Sequence, residues 1–259
     1  MERKGRGRRA MLDKAGKKIQ LYYREKGKGM PLILLHGNGE NGNYFEHQIA
    51  YFSQKYRVIA VDTRGHGRSP RGTAPFTISQ FADDLNDFLE EQKIEQAVVL
   101  GFSDGANIAM RFAMKYQEKL KALILNGGNL NAGGVKKAVQ IPIELGYWTT
   151  RLFSGLSKKA EKKSELLGLM VHAPNIRPSE LSVIRVPVLV IAGTRDMIKE
   201  EETRRIAGSI AGARLQFIEG DHFIAARAYE KFNEAVEQFL DGTMAGAAGG
   251  HAGEDSHGA

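Results

Sequence analysis

The chain has 259 residues, of which 42% are hydrophobic and 26% charged, with a formal net charge of +7 and no cysteine. This length and composition predict one α/β domain, with or without an insertion. The absence of cysteine excludes disulfides, thiolate metal sites and a thiol nucleophile, and it is compatible with a reducing cytoplasm, where we expect the protein. No apolar run approaches the length of a membrane span, and the basic first residues lack the apolar core of a secretory signal, so we expect no stable membrane insertion.

Positive charge is concentrated in two parts of the chain. One is the N-terminal segment MERKGRGRRA, and the other is a set of lysines near the middle, namely Lys136, Lys137, Lys158, Lys159, Lys162 and Lys163. Runs of this kind are usually solvated surfaces. Because neither is interleaved with aromatic residues, binding to nucleic acid or to an anionic membrane is the less favoured interpretation, and we expect no nucleic-acid partner. The oligomeric state is left open.

Short apolar runs alternate with amphipathic stretches along most of the chain, which is typical of parallel strands joined by crossover helices. An antiparallel hairpin is predicted first, around the turn-like residues 13–16. Buried strands are predicted over residues 32–35, 58–61, 97–100, 122–125, 188–191 and 215–218. Helices are predicted over residues 43–53, 77–91, 106–116, 200–210 and 223–240.

The regular alternation breaks after Asn126, and this break sets the predicted domain organisation. Residues 129–180 are predicted to form a cap insertion over the carboxyl ends of the strands, where open α/β sheets bind ligands. The core is predicted to comprise residues 10–128 and 181–241, preceded by a basic tail over residues 1–9. Residues 242–259 are rich in Gly and Ala and lack large apolar side chains, which predicts disorder.

The stretch AVVLGFSDGAN, residues 97–107, places Gly-x-Ser-x-Gly between a predicted strand and a predicted helix. A sharp turn at this point lifts the serine hydroxyl into the open, and glycines at positions 101 and 105 allow neighbouring backbone to approach closely. Ser103 is therefore a candidate nucleophile.

A serine nucleophile needs a base within hydrogen-bond reach, and that base needs a carboxylate to orient it. Two residues downstream meet these requirements. Asp196 closes VPVLVIAGTRD just after a predicted strand, and His222 lies in LQFIEGDHF after the last strand. The chain order Ser, Asp, His and the position of each residue at a strand end are typical of one class of hydrolase.

Four parts of the sequence resemble the α/β-hydrolase superfamily, namely PLILLHGNGENG, VIAVDTRGHGRS, VVLGFSDG, and VLVIAGTRD paired with IEGDHF. The resemblance implies a mostly parallel, eight-stranded α/β-hydrolase sheet with helices on both faces and a helical cap insertion. It also implies that Ser103 is the nucleophile, His222 the base and Asp196 the acid that orients it. The backbone N–H groups of Asn38 and Asp104 would form the oxyanion hole.

Several polar residues near these motifs have structural interpretations. His36 is predicted to support the oxyanion loop, and His66 to stabilise a neighbouring loop. Asp62 and Arg64 are candidates to pair with each other. Asp221 precedes His222 directly and is expected to point elsewhere.

No metal or cofactor is expected, because the seven histidines show no ligand spacing and GNGENG lacks the spacing of a dinucleotide-binding loop. Phe102, Trp148 and Phe153 are candidate contacts for the substrate. Lys136, Lys137 or Arg151 are candidate partners for a carboxylate on it.

The expected activity is that of a cofactor-independent serine hydrolase, which cleaves a small ester, lactone or related acyl compound through an acyl-enzyme. Two alternatives use the same triad: carbon–carbon bond hydrolysis of ring-cleavage products, and thioester hydrolysis. An alternative from another class is a ligand-binding protein on the same scaffold with negligible turnover.

Overall fold

The structure, a computed structural model, describes residues 3–4 and 18–249, with side chains from residue 18 to residue 245. Within these residues, eight strands form one sheet in the order β1-β2-β4-β3-β5-β6-β7-β8. The strands are β1 (Arg3–Lys4), β2 (Tyr23–Lys26), β3 (Pro31–Leu35), β4 (Arg57–Val61), β5 (Ala97–Phe102), β6 (Leu120–Asn126), β7 (Val188–Gly193) and β8 (Arg214–Ile218). Strands β3 to β8 are parallel, and β1 and β2 are antiparallel. The predicted mostly parallel, eight-stranded sheet is confirmed.

Helices cover both faces of this sheet. They are α1 (Glu46–Phe52), α2 (Ile78–Glu91), α3 (Asp104–Lys115), α4 (Lys137–Leu152), α5 (Lys158–His172), α6 (Glu200–Gly208), α7 (Ile224–Arg227) and α8 (Tyr229–Gly249). Side chains of successive strand residues point to opposite faces, so each central strand contributes to two apolar layers. In β3, Ile33 and Leu35 pack under α2 and α3, while Leu32 and Leu34 pack under α1 and α8. Fully burying each such side chain contributes about 1.5–3 kcal/mol.

The edges of the sheet differ from the sequence predictions. Residues 215–218 are predicted as a buried strand, but β8 lies at the edge of the sheet and pairs only with β7. Arg214 and Gln216 are exposed, Leu215 and Phe217 are half-buried, and only Ile218 is buried. On the other edge, Arg3 and Lys4 form β1 within the predicted basic tail. The predicted hairpin turn over residues 13–16 lies outside the described residues.

The predicted disordered tail begins too early. Helix α8 continues through residues 242–249, beyond the predicted boundary at residue 241. Met244 packs against the apolar layer under α8, and the Thr243 hydroxyl donates to the Phe239 carbonyl at 2.8 Å. The apolar contact of Met244 therefore stabilises a longer helix, and the alanines that follow favour the helical conformation. Residues 250–259 lie outside the described residues.

Residues 129–180, predicted as a cap, contain α4 and α5. The two helices pack against each other, with the rings of Tyr147 and His172 5.0 Å apart. Helix α5 reaches the core at two loops. The Asn38 side chain, after β3, donates to the Leu166 carbonyl at 2.8 Å, and Arg71, after β4, pairs with Glu165 at 2.6 Å.

Candidate active site

Ser103 occupies the turn between β5 and α3. Its backbone has φ 55° and ψ −119°, a conformation that costs a non-glycine residue about 1–3 kcal/mol. A hydrogen bond from the Ser103 N–H to the Asn126 carbonyl, 2.8 Å long, holds the turn against β6. A side chain at Gly105 would lie 2.0 Å from the Leu35 carbonyl oxygen, so the helix can approach β3 only with glycine there. The turn leaves Ser103 half-buried.

His222 and Asp196 complete a hydrogen-bonded chain with this serine. His222 Nε2 lies 3.0 Å from Ser103 Oγ, and His222 Nδ1 lies 2.7 Å from Asp196 Oδ1. Both partners are buried, with 4% and 3% of their surface exposed. The carboxylate accepts from Nδ1–H, which leaves Nε2 free to accept the serine proton. The structure brings the three predicted residues together in the order that proton transfer requires.

A stacked pair of aromatic rings packs against the imidazole of His222. Phe102 is buried, and its ring centroid lies 4.8 Å from that of His222. Tyr44 stacks on the other side of Phe102, with 4.3 Å between ring centroids and an interplanar angle of 5°. Phe102, predicted as a substrate contact, thus packs against the base. The role of Tyr44 was not predicted, because the residues around it in the sequence do not indicate that its ring stacks on Phe102.

The loop after β3 approaches the N-terminus of α3 beside the serine. The Asn38 side-chain amide donates to Asp104 Oδ2 at 2.9 Å, which ties the two predicted oxyanion residues to each other. Asp104 is the first residue of α3, where backbone N–H groups have no acceptor within the helix and favour negative charge. Burial raises the pKa of the Asp104 carboxyl, although hydrogen bonds from Asn38 and Asn107 oppose the shift.

Two further residues fix the loop. His36 is buried, accepts from the Thr63 N–H at Nε2 (3.1 Å) and donates from Nδ1 to the Gly37 carbonyl at 2.7 Å. Burial, together with repulsion from His66, lowers the pKa of His36 to about 3, so the ring is neutral. Glu40 accepts from the Gly37 N–H at 3.2 Å, and its own burial raises its pKa.

The predicted pairing of Asp62 with Arg64 is wrong. Arg64 is buried and donates from Nε and Nη2 to the two carboxylate oxygens of Asp84, at 2.7 and 2.6 Å. Asp62 instead accepts from the backbone N–H groups of Gly42 and Arg68, both at 2.8 Å. The planar guanidinium of Arg64 binds the Asp84 carboxylate on α2 with two hydrogen bonds, whereas the Asp62 carboxylate accepts from backbone N–H groups close to it.

Of the two other predicted substrate contacts, Trp148 lies within the second half of α4 and Phe153 directly follows the helix. Trp148 is 62% exposed and packs edge-on against Tyr147, at 5.1 Å between ring centroids. Phe153 is 50% exposed. The apolar cavity beside α4, of about 270 Å³, is lined by other residues of α4 and α5, including Tyr147, Arg151 and His172, together with Phe76.

Among the described residues, no three histidine, aspartate or glutamate side chains are grouped so as to hold a metal ion. The same residues contain no helix long and apolar enough to cross a membrane.

Comparison with known proteins agrees with the fold. The model of the α/β-hydrolase fold family matches residues 30–161, about half of the chain. The chain therefore belongs to the α/β-hydrolase family.

Three relatives illustrate the range of the family. An uncharacterized protein of Mycobacterium tuberculosis is 34% identical over 48% of this chain, which spans only 35% of that relative's length. The 3-oxoadipate enol-lactonase 2 of Acinetobacter baylyi is 28% identical over 81% of this chain and 88% of its own. A solved structure of an N-acyl homoserine lactone degrading enzyme is 26% identical, with a TM-score of 0.68, and the match covers 85% of this chain and 97% of that one.

Proposed function

We propose that the protein is a cofactor-independent serine hydrolase that cleaves small acyl substrates through an acyl-enzyme. The observation that carries this proposal is the chain of hydrogen bonds from Ser103 Oγ to His222 Nε2, 3.0 Å, and from His222 Nδ1 to Asp196 Oδ1, 2.7 Å. An imidazole whose Nδ1 faces a carboxylate and whose Nε2 faces the serine hydroxyl is placed to act as the general base that this hydroxyl needs.

Each step of the reaction uses a group in the site. Ser103 Oγ attacks the substrate carbonyl while His222 Nε2 takes its proton, and the imidazolium then returns that proton to the leaving group. Asp196 stabilises the imidazolium across the 2.7 Å hydrogen bond. Water, activated by the same histidine, then attacks the acyl-enzyme and releases Ser103.

The backbone N–H groups of Asn38 and Asp104 are the proposed oxyanion donors. The Asn38–Asp104 side-chain hydrogen bond supports this assignment, because it holds the two backbone segments beside each other and beside the serine. Removing one oxyanion donor typically costs on the order of 100-fold in kcat. We propose further that residues 129–180 act as a cap, which the contact between Asn38 and Leu166 supports.

Within acyl substrates, a lactone is the favoured subclass. Two relatives at 28% and 26% identity are named for lactone substrates. An open-chain ester differs from a lactone only in the tether between acyl and leaving groups, so the same serine, base and oxyanion donors serve both. Thioester and carbon–carbon bond hydrolysis remain alternatives with the same nucleophile. A cytoplasmic location is part of the proposal.

The decisive experiment is covalent trapping on the full chain. With p-nitrophenyl acetate we expect a burst of p-nitrophenol and an acetyl group on Ser103, detected by mass spectrometry. Ser103→Ala should lose both the burst and the label, and Ser182→Ala, on an exposed residue, should keep both. A ligand-binding protein without turnover would bind the ester but show neither burst nor label in the unaltered chain. A panel of lactones and open-chain esters then ranks the substrate subclass by kcat/KM.

A further inference from the structure

Helix α4 carries a stripe of exposed apolar side chains. Ile141, Leu145, Trp148 and Leu152 are spaced four, three and four residues apart, which places them on one face of the helix. Their exposed fractions are 53%, 65%, 62% and 76%, and Leu156, just after the helix, is 85% exposed. We call these five residues the α4 stripe. Contiguous exposed apolar surface of this kind marks an interaction site in a folded protein.

Among residues 18–245, the neighbouring elements leave the stripe largely exposed. The face of α4 that packs on α5 is the one that contains Tyr147, which is 7% exposed and contacts His172. The cavity between α4, α5 and Phe76 is lined by Tyr147 and Arg151 rather than by the stripe. The stripe is therefore neither the packing face of the helix nor the wall of that cavity.

Basic residues are frequent in the segment of chain that contains the stripe. Seven exposed lysine and arginine residues lie between positions 136 and 163, against two glutamates, Glu144 and Glu161; the seven are Lys136, Lys137, Arg151, Lys158, Lys159, Lys162 and Lys163. Lys158 and Lys159 are the first two residues of α5. The positive end of the helix dipole repels the ammonium groups of these two lysines. An external anion bound near them would therefore be electrostatically favourable.

We propose that the α4 stripe, together with the lysines that flank it in the chain, forms a docking surface for an anionic phospholipid bilayer. Helices that lie in the membrane interface combine Trp and Leu on one face with nearby Lys and Arg, and this segment contains both kinds of residue. The apolar stripe would enter the boundary between headgroups and acyl chains, and the lysines would face the lipid phosphates. This is attachment to a surface and needs no span of the bilayer.

Charge decides between a membrane and a second copy of the chain. A two-fold dimer through the stripe would pair two copies of a segment that carries seven basic residues against two glutamates, and like charges across an interface are unfavourable. An anionic bilayer supplies the opposite charge. In sequence the lysines are not interleaved with aromatic residues, but exposed Trp148 lies in the chain between Lys137 and Lys158. The proposal is independent of Ser103 chemistry, and it gives Trp148 a role other than substrate contact.

The test uses a reporter that is already in place, since Trp148 is the only tryptophan of the chain. The full chain is titrated with vesicles of phosphatidylcholine alone and with vesicles that also contain phosphatidylserine. We expect a blue shift of tryptophan emission with phosphatidylserine vesicles and co-sedimentation with them, both reversed by high salt. Each basic side chain near an anionic surface is worth about fivefold in the partition coefficient.

Two double variants separate the components of the surface. Leu145→Ser with Leu156→Ser removes apolar contact and keeps the reporter, and Lys158→Glu with Lys159→Glu reverses charge at the start of α5. Each should weaken partition by about tenfold or more. The matched controls are Val183→Ser, which is 48% exposed elsewhere, and Lys28→Glu, in an exposed turn. Both controls should bind vesicles like the unaltered chain.

Three results would overturn the proposal. The first is an emission spectrum that no vesicle changes, together with no co-sedimentation. The second is equal loss of binding in the controls and the stripe variants. The third is a blue shift that grows with protein concentration in the absence of lipid, accompanied by a dimer in sedimentation velocity, which would assign the stripe to a second copy.

Discussion

Gly127 lies directly against the imidazole of His222. A Cβ built on Gly127 would fall 2.8 Å from His222 Cε1 and 3.0 Å from Nδ1, and the Gly127 backbone has a φ of 63°. The residue follows β6, the strand next to the one that ends at Ser103. Any side chain at this position must displace the ring that lies between the serine and the aspartate.

Gly127→Ala is therefore expected to lower kcat by about 100-fold, because a base displaced by a fraction of an ångström no longer reaches Ser103 Oγ. Steady-state kinetics with p-nitrophenyl acetate measures the loss. Gly208→Ala is the control, since a Cβ there meets nothing within 4 Å. An unchanged kcat in Gly127→Ala would show that the histidine does not need its observed position.

The carboxyl of Glu40 is expected to position the oxyanion loop through its hydrogen bond from the Gly37 N–H. Glu40→Ala removes this acceptor and should lower kcat on the order of tenfold with little change in KM, because the proposed oxyanion donor on this loop would act in the transition state. Glu40→Gln keeps an amide oxygen in its place and should retain most of the activity. Equal losses in the two variants would contradict a positioning role, and Glu46→Gln, on an exposed side chain, serves as the control.

The buried pair of Arg64 and Asp84 makes a prediction about stability. Arg64→Ala leaves the Asp84 carboxylate buried without its cation, which should lower the free energy of unfolding by about 3–5 kcal/mol. Replacing both, as Arg64→Met with Asp84→Leu, removes both charges and should recover most of that loss. Urea unfolding followed by circular dichroism measures each value. If the double variant lost as much as Arg64→Ala alone, the uncompensated charge would not be the cause.

The buried, neutral His36 makes stability depend on pH. Burial lowers its pKa to about 3, whereas in the unfolded chain it titrates near pH 6.5. Between these values the unfolded state binds a proton that the folded state does not, so stability falls as pH falls. The contribution of this group is about 1.4 kcal/mol per pH unit in that window, and none above it.

His36→Asn removes the titrating group while keeping a short side chain that can donate and accept. Near pH 8, urea unfolding of the variant measures only the free energy lost with the packing and hydrogen bonds of His36. At about pH 5, the free energy of unfolding of the unaltered chain also includes the cost of protonating His36 in the unfolded state. We expect the variant to show a shallower decline of stability between these values. Parallel declines in the variant and the unaltered chain would contradict the assignment.

The sequence predicts much of this structure because its signals are local. The five interior parallel strands, β3 to β7, appear as apolar runs, since a strand covered on both faces must be apolar along its length. The predicted helix boundaries differ from the observed ones where contacts between distant parts of the chain determine where a helix begins or ends. The helix predicted over residues 43–53 begins as a 3-10 helix, Gly42–Phe45, and that predicted over residues 223–240 divides into α7 and α8.

Ser103, Asp196 and His222 could be found for a related reason. Each follows a recognisable strand, and parallel strands end at the same edge of a sheet, so the order of motifs predicts that these side chains meet. The sequence separation of 119 between Ser103 and His222 does not obscure this, because the topology of the sheet brings His222 Nε2 to 3.0 Å from Ser103 Oγ.

The fold class and the three residues at the strand ends therefore follow from local patterns in the sequence. The side chains that support them become visible only in the folded chain: Phe102 and Tyr44 stacked beside His222, Gly127 against its ring, and Asp84 as the partner of Arg64. These contacts join residues that are distant in the chain and share no periodic pattern. The exposure of the α4 stripe also depends on tertiary packing. The spacing of residues in a helix predicts which of them share a face, but the packing of neighbouring elements determines which face stays exposed.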